Sequence, residues 1–198
     1  MGLSKFLNIQ NKYLDETDLL TKLENNIEKT NMFNNSIIYI DEFLGFTKQE
    51  LSIIGKLLNN IKPKCDINFL FSNYEEVGHG ASSFVPKNTI EFIAVDMGCP
   101  GENQNSSEYD VCICTKDSNG PYDYELINKL VDTCKKNNIN YKLDISPNYG
   151  SDATTALKSG MDVKFALIGP GIFASHGYER THINSIIETK KLIINYIK

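Results

Sequence analysis

Short apolar segments that end in acidic residues are the feature of this sequence that most constrains its fold. Residues 67–72 (INFLFS) lead to Glu75 and Glu76, and residues 90–95 (IEFIAV) lead directly to Asp96. Carboxylates at the end of a buried strand carry a desolvation cost unless they bind something. The usual compensation is a metal ion, a proton transfer, or both. The placement therefore predicts a sheet whose edge carries metal-dependent hydrolytic chemistry.

Apolar segments of strand type alternate with segments of helical type along most of the chain. Strands are predicted at 36–40, 66–72, 90–95, 109–115, 140–145 and 163–168. Helices are predicted at about 47–58 and 121–136, from the end of the SPNYGSDA loop (146–153) to Gly160, and from about 182 to the C-terminus. This alternation predicts an α/β fold of three layers, with a largely parallel or mixed sheet and helices on both faces.

The 198 residues suit one sizeable domain preceded by a small appendage. Residues 1–35 are predicted to form an N-terminal helical segment because leucine and isoleucine recur at helical spacing between Leu14 and Ile27. Residues 36–198 are predicted to form a single catalytic domain.

Composition excludes several classes of partner. The net charge is −5 and no basic stripe is visible, which argues against nucleic acid. No signal peptide or membrane span is apparent, and Phe6 replaces the Ser or Thr of a myristoylation signal. The 5 cysteines are an odd number, which favours reduced thiols and a cytoplasmic location. Cys112 and Cys114 share one face of a predicted strand, where core packing is favoured over a metal role.

Ligands of such sheets collect beyond the carboxyl ends of the strands. Four acids are expected at that edge: Asp41, Glu75, Glu76 and Asp96. His176 follows the strand predicted at 163–168. Carboxylates combined with imidazole suit Zn, Co or Mn. A carboxylate that is not a ligand can serve as the general base.

The ordered set of motifs resembles the tetrahedral/glutamyl aminopeptidase family of cocatalytic metallopeptidases. The motifs are YIDEFLG, EEVGHGA, AVDMG and YGSDA, followed by His176. The resemblance covers about residues 36–198. It implies a zinc-exopeptidase type of fold and the removal of N-terminal residues from peptides. It also implies one or two divalent metal ions, with Zn favoured over Co or Mn.

The resemblance also implies a role for each matched residue. Asp41 would bridge two ions, Glu76 would bind one and Asp96 the other. His176 would complete the Glu76 side, and Glu75 would be the general base on the metal-activated water. Asp152 and Gly150 of the YGSDA loop would lie near the site as substrate-binding residues.

The sequence departs from the family pattern upstream. The family has a His-x-Asp motif whose histidine is a ligand, yet no histidine here precedes His79. The inserted β domain of the family is also not recognised, and Asp41 is followed by Glu42 and Phe43. Three readings stay open: a replacement ligand, a single ion, or a catalytically impaired relative that serves as a binding or structural protein. A homo-oligomer smaller than a dodecamer, such as a dimer, is expected.

Two further histidines compete for the ligand role. His182 is expected at the start of the last helix, and His79 lies within the EEVGHGA loop. His176 is favoured over His182, and His79 is expected to be a loop group that could replace the lost ligand. A phosphate-binding loop and a serine triad are disfavoured, since neither the P-loop pattern nor a G-x-S-x-G elbow occurs.

Overall fold

The computed structural model describes residues 16–26, 52, 55–56 and 65–198. The chain divides into two compact units, one of Met1–Cys65 with Lys198 and the other of Asp66–Ile197. The predicted strand at 36–40, the predicted helix at 47–58, the predicted boundary at residue 35 and Asp41 all lie outside the described residues.

The first unit contains helix α1 (Glu16–Asn26), as its apolar spacing predicts. Leu23 of this helix is buried. Glu24 accepts a hydrogen bond from the Ser52 hydroxyl, and the Lys56 ammonium lies 3.8 Å from the same carboxylate. These contacts connect α1 to the following segment of the same unit.

The second unit is built on a mixed sheet. Its elements are β1 (Glu91–Val95), β2 (Val111–Asp117), β3 (Gly120–Pro121), α2 (Tyr124–Lys136), β4 (Tyr141–Ser146), α3 (Asp152–Lys158), β5 (Lys164–Pro170) and α4 (Ile183–Ile197). Strand β1 runs parallel to β5, and β2 runs parallel to β4. The two pairs meet at an antiparallel contact between β2 and β5, in which Val111 faces Pro170. The predicted α/β fold is confirmed, with a mixed sheet.

The core is apolar and lies between the sheet and two helices. Helices α2 and α4 contact each other and both contact β2 and β5, so they cover one face. Leu126 and Leu130 of α2 are fully buried, as are Ile113 and Ile168 of the sheet. Burial also raises the pKa of the Cys134 thiol to about 12, which keeps it an inert packing group.

Two predicted elements differ from the structure. Residues 66–72 are not a β-strand, and Phe69, Leu70 and Phe71 are exposed. Alternation of apolar residues favours an extended backbone, but a strand also needs a partner edge. Pro121 does not open helix α2, because it lies in β3, and Asp123 provides the cap by accepting the Leu126 N–H at 2.8 Å.

Cys112 and Cys114 are both buried in β2, in agreement with the packing interpretation. The Cys114 thiol lies 3.1 Å from the Lys116 carbonyl oxygen, and a Cβ added at Gly98 would approach the Cys112 sulfur to 2.5 Å. All 5 cysteines are free thiols. Helix by helix, the described residues contain nothing long and apolar enough to cross a membrane.

Candidate functional site

Asp96 is held at the carboxyl end of β1 by continued strand pairing. Its N–H donates to the Ile168 carbonyl at 2.9 Å, and the pairing extends to Gly98, whose N–H donates to the Pro170 carbonyl at 2.9 Å. The backbones of the two paired segments are unusually close here, since a Cβ added at Gly169 would lie 2.0 Å from the Asp96 carbonyl oxygen. The backbone of Asp96 is therefore fixed, while its side chain remains accessible at the sheet edge.

Glu75 and Glu76 begin a single 3₁₀ turn, Glu75–Val77. Left-handed residues flank the turn, Tyr74 at φ 62° and Gly78 at φ 74°. The Gly78 N–H donates to the Glu75 carbonyl at 2.8 Å, and the His79 N–H donates to the Tyr74 carbonyl at 3.0 Å. A left-handed tyrosine is strained, and such strain persists where the surroundings hold it, often at functional sites. Glu75 is half-buried and Glu76 is exposed.

His176 lies at the tip of a short closed loop of residues 173–180. Reciprocal backbone hydrogen bonds between Phe173 and Arg180, at 2.9 and 3.1 Å, close its base. His176 is left-handed at φ 60°, and the Glu179 carboxylate accepts its backbone N–H at 2.9 Å. The imidazole stacks on Tyr149 with ring centroids 6.3 Å apart.

The loop brings His176 to the acid-bearing turn. The His176 Nδ1 lies 3.7 Å from the Glu76 Oε2. Residues from three separate segments therefore share one end of the sheet: the turn at 75–77, the end of β1 and the loop after β5.

The site is acidic. Partial burial raises the pKa of Glu75, and Asp96, Asp152 and Glu76 raise it further. Loss of surrounding water likewise raises the pKa of Asp96, with Glu76 and Asp152 adding to the effect. The His176 imidazole opposes both shifts. Like charges this close disfavour full ionisation, so the arrangement favours a bound cation or a shared proton.

The donor chemistry at this site suits a divalent transition ion. Glu76 supplies oxygen and His176 supplies nitrogen, the mixture that Zn²⁺ prefers. Between residues 65 and 198 and in the shorter described ranges, no three His, Cys, Asp or Glu side chains are grouped closely enough to hold an ion. The Glu76–His176 pair could supply two of the three or four ligands that such an ion requires.

The other two histidines do not share this position. His182 precedes α4, where its Nδ1 accepts the Asn184 N–H at 3.2 Å and its ring lies 4.7 Å from that of Tyr109. That is the role of a helix cap. His79 is exposed and its carbonyl accepts the Ser82 N–H at 3.3 Å. The preference for His176 over His182 as a ligand remains a prediction.

Asp152 lies beside the acid cluster, where it helps to raise the pKa of Glu75 and Asp96. Gly150 lies near Asn119 instead, because a Cβ added there would be 3.0 Å from the Asn119 amide nitrogen. The Asp152 carboxylate accepts the Ala81 N–H at 3.1 Å and a hydrogen bond from the Ser72 hydroxyl. Gly150 is exposed, immediately before the cap of α3. Substrate binding by either residue remains a prediction. Sequence reasoning missed Ser72 and Glu179; only Glu179 carried a signal, as an acid three residues after His176. Gly80 was expected to permit a close backbone approach near the site, and it does so against Asp152.

Comparison with known proteins identifies the class. The family model M42 glutamyl aminopeptidase matches residues 50–192. A putative aminopeptidase of Bacillus subtilis, YhfE, is 47% identical over 157 residues, which are 76% of this chain and 45% of that protein. The chain belongs to the M42 glutamyl aminopeptidase family, as its motifs predict, and it spans less than half the length of this relative.

Solved structures show the same fold. The TET1 peptidase of Pyrococcus horikoshii, described as assembling into a tetrahedron or a large octahedral shell, aligns with a TM-score of 0.55 at 21% identity. The alignment covers 64% of this chain and 39% of that one. An aminopeptidase from Desulfurococcus kamchatkensis aligns with a TM-score of 0.53 at 17% identity, over 63% of this chain and 38% of that one.

A second similarity covers the N-terminal part of the chain. The model named ADDB, N-terminal, matches residues 5–94, fewer than half of the residues. A subunit of the ATP-dependent helicase/deoxyribonuclease of Clostridioides difficile is 27% identical over 94 residues, 48% of this chain and 8% of that protein. The two family matches share residues 50–94, which include the acid-bearing turn.

Proposed function

We propose that this chain carries the catalytic machinery of a metal-dependent aminopeptidase that removes N-terminal residues from peptides. The observation that supports the proposal most is the convergence at one sheet edge of Glu75, Glu76, Asp96 and His176. Membership of the M42 family supports the peptidase class. The metal, the substrate and the residue roles are inferred from the donor set and its position.

Glu76 and His176 would hold one divalent ion and Asp96 would hold the other, with Asp41, from outside the described residues, as a ligand of both. A divalent ion at such a site supplies Lewis acidity toward the scissile carbonyl and lowers the pKa of water. The accessible side chains of Glu76 and Asp96 line the open face from which a peptide would approach. Zn is the first choice of ion, with Co and Mn as alternatives.

Glu75 is the proposed general base. It accepts the proton of the attacking water and then donates it to the amine that leaves as the peptide bond breaks. Burial and the neighbouring acids raise its pKa in the metal-free site, so it takes up a proton more readily there than an isolated glutamate. The acids around it also favour a substrate that brings a positive charge, and the free ammonium of a peptide is such a group.

Metal content and hydrolysis of aminoacyl anilides test the proposal together. The purified chain is analysed by mass spectrometry for transition metals, and hydrolysis is followed before and after a chelator. Tightly bound zinc, with activity that is lost on chelation and restored by zinc, is the expected result. Glu102→Gln, a change at an exposed loop acid, is the control for Glu75→Gln.

The alternative is a relative that kept the fold and lost the complete metal set. Two facts favour it: three ligands are not grouped among the described residues, and Asp41 is followed by Glu42 and Phe43, which depart from the family pattern. Such a protein would serve in binding or structure. A purified chain that holds no bound metal and shows no chelator-sensitive hydrolysis would establish this alternative.

Assembly and location complete the proposal. A homo-oligomer smaller than a dodecamer, such as a dimer, is expected, and light scattering of the purified chain measures its mass. A dodecamer would overturn that expectation. The 5 free thiols support a cytoplasmic location, which cell fractionation tests. The net charge of −5 argues against nucleic acid as the main partner.

A further inference from the structure

A single carboxylate fixes both ends of the segment that carries Glu75 and Glu76. Asp152 Oδ1 accepts the backbone N–H of Ala81 at 3.1 Å, and Asp152 Oδ2 accepts a hydrogen bond from the Ser72 hydroxyl. Ser72 precedes the acid pair and Ala81 follows it. The two bonds therefore pin the segment on either side of the 3₁₀ turn.

The C-terminal end of this segment packs tightly against Asp152 at Gly80. A Cβ added at Gly80 would lie 2.0 Å from Asp152 Oδ1 and 2.7 Å from Asp152 Cγ, so only glycine allows this approach. The adjacent Ala81 is fully buried. The segment end is thus seated directly against the Asp152 carboxylate.

Asp152 itself stands on a rigid base. It is the first residue of α3, behind the cap residue Ser151, whose N–H donates to the Thr154 hydroxyl at 3.2 Å. Ser151 and Thr154 are both buried, and the Ser151 hydroxyl lies 2.8 Å from that of Tyr122. A short polar network within the core therefore holds the carboxylate in place.

We propose that Asp152 is a positioning residue, a clamp that holds the Glu75–Val77 turn so that Glu76 faces His176. This refines the substrate-binding prediction, because both Asp152 oxygens already accept hydrogen bonds from the protein. The purpose assigned to the clamp rests on the proposed function, whereas the clamp itself is a feature of the fold. Residues that orient metal ligands typically change metal affinity by about 10- to 100-fold when removed.

Four variants of the full chain separate a clamp from a charged substrate contact. Asp152→Ala removes both bonds, and Ser72→Ala removes one. Asp152→Asn keeps an oxygen for the Ala81 N–H and offers its amide to the Ser72 hydroxyl. Gly80→Ala displaces the segment without altering any charge. Asp162→Ala, at an exposed aspartate, is the matched control.

The first measurement is amide hydrogen exchange over residues 72–81 in metal-free protein. Asp152→Ala and Gly80→Ala are expected to speed exchange at Ala81 by about tenfold or more, with Ser72→Ala intermediate. Asp152→Asn and Asp162→Ala are expected to match the unsubstituted chain. Unchanged exchange in Asp152→Ala and Gly80→Ala would overturn the clamp. If Asp152→Ala does not fold, Ser72→Ala and Gly80→Ala still decide the outcome.

The second measurement is calorimetric titration with Zn²⁺ alone. Asp152→Ala and Gly80→Ala are expected to weaken zinc binding about tenfold, while Asp152→Asn binds nearly as the unsubstituted chain. An Asp152→Asn variant as weak as Asp152→Ala would show that the charge, not the clamp, matters. A chain without zinc affinity or peptidase activity fails the proposed function, yet its exchange pattern still tests the clamp.

Discussion

The second unit contains two acidic centres that differ in how their carboxylates are satisfied. Asp117, at the end of β2, is fully buried, yet it accepts hydrogen bonds from the Asn119 N–H at 2.7 Å, the Asn119 amide at 3.3 Å and the Tyr122 hydroxyl at 3.2 Å. Glu75 and Asp96 are less buried, but within the described part of the chain no hydrogen bond reaches either carboxylate. Hydrogen-bond donors therefore surround Asp117, whereas Glu75 and Asp96 have other acids as neighbours.

The difference separates a structural acid from the acids that we propose to be functional. Donors that are already in place stabilise the charge of Asp117 and fix the β2 end, so nothing further need bind there. Burial and neighbouring acids raise the pKa of both Glu75 and Asp96, so these carboxylates would be stabilised by binding a cation or a proton. Burial alone therefore does not identify a site; the supply of donors does.

The largest expected effect follows from replacing the unsatisfied acid. Glu75→Gln removes the proposed base with little change of shape, and kcat should fall by about 10²- to 10⁴-fold. Zinc affinity and thermal stability should stay close to those of the unsubstituted chain. Steady-state hydrolysis of an aminoacyl anilide measures the loss, and an active Glu75→Gln variant would remove Glu75 from the mechanism.

Replacing the satisfied acid should have the opposite profile. Asp117→Ala leaves the donors of Asn119 and Tyr122 without their acceptor in the core, and stability should fall by about 3 kcal/mol. Urea denaturation followed by circular dichroism measures the change. At a temperature where the variant is folded, zinc affinity should be retained. A stable Asp117→Ala variant would contradict the assignment of this centre as structural.

The loop that carries His176 gives a smaller expected effect. Glu179→Ala removes the acceptor of the His176 N–H and leaves a left-handed histidine without that support, so zinc binding should weaken about tenfold. Glu179→Gln retains an oxygen acceptor and should restore most of the affinity. Titration with Zn²⁺ compares the two variants. Equal weakening in both would assign the effect to the charge of Glu179.

The sequence predicted the sheet edge better than the segments that surround it. Asp96 and His176 could be placed together because they follow β1 and β5, two parallel strands whose carboxyl ends share an edge. Glu75 and Glu76 were placed there from a predicted strand that the structure does not contain, so only the family resemblance supported their position. The donors around Asp117 could not be recognised, because Asn119 and Tyr122 are ordinary turn residues until β2 and β3 pair. The prediction of a strand at 66–72 was wrong because local alternation of apolar residues does not reveal whether a partner strand is available.

The smallest expected effect concerns Glu91 on β1, an acid that, like Asp117, already accepts hydrogen bonds from protein donors. Glu91 accepts hydrogen bonds from the Lys129 ammonium and the Tyr196 hydroxyl, each at 2.7 Å. Burial raises its pKa, but these two partners outweigh burial and hold the pKa below the ordinary value. A lowered folded-state pKa contributes stability that is present above about pH 4.5, the unfolded value, and is lost as the pH falls through the folded value.

Glu91→Gln should therefore cost roughly 1 kcal/mol at pH 7 and progressively less as the pH falls below about 4.5, because only the carboxylate gains from the Lys129 charge. Urea denaturation of both proteins between pH 7 and pH 3 measures this difference. The matched control is Glu102→Gln, at an exposed loop acid, whose cost should be near zero throughout. A cost for Glu91→Gln that did not change with pH would show that packing, and not the supplied donors, accounts for the contribution of this acid.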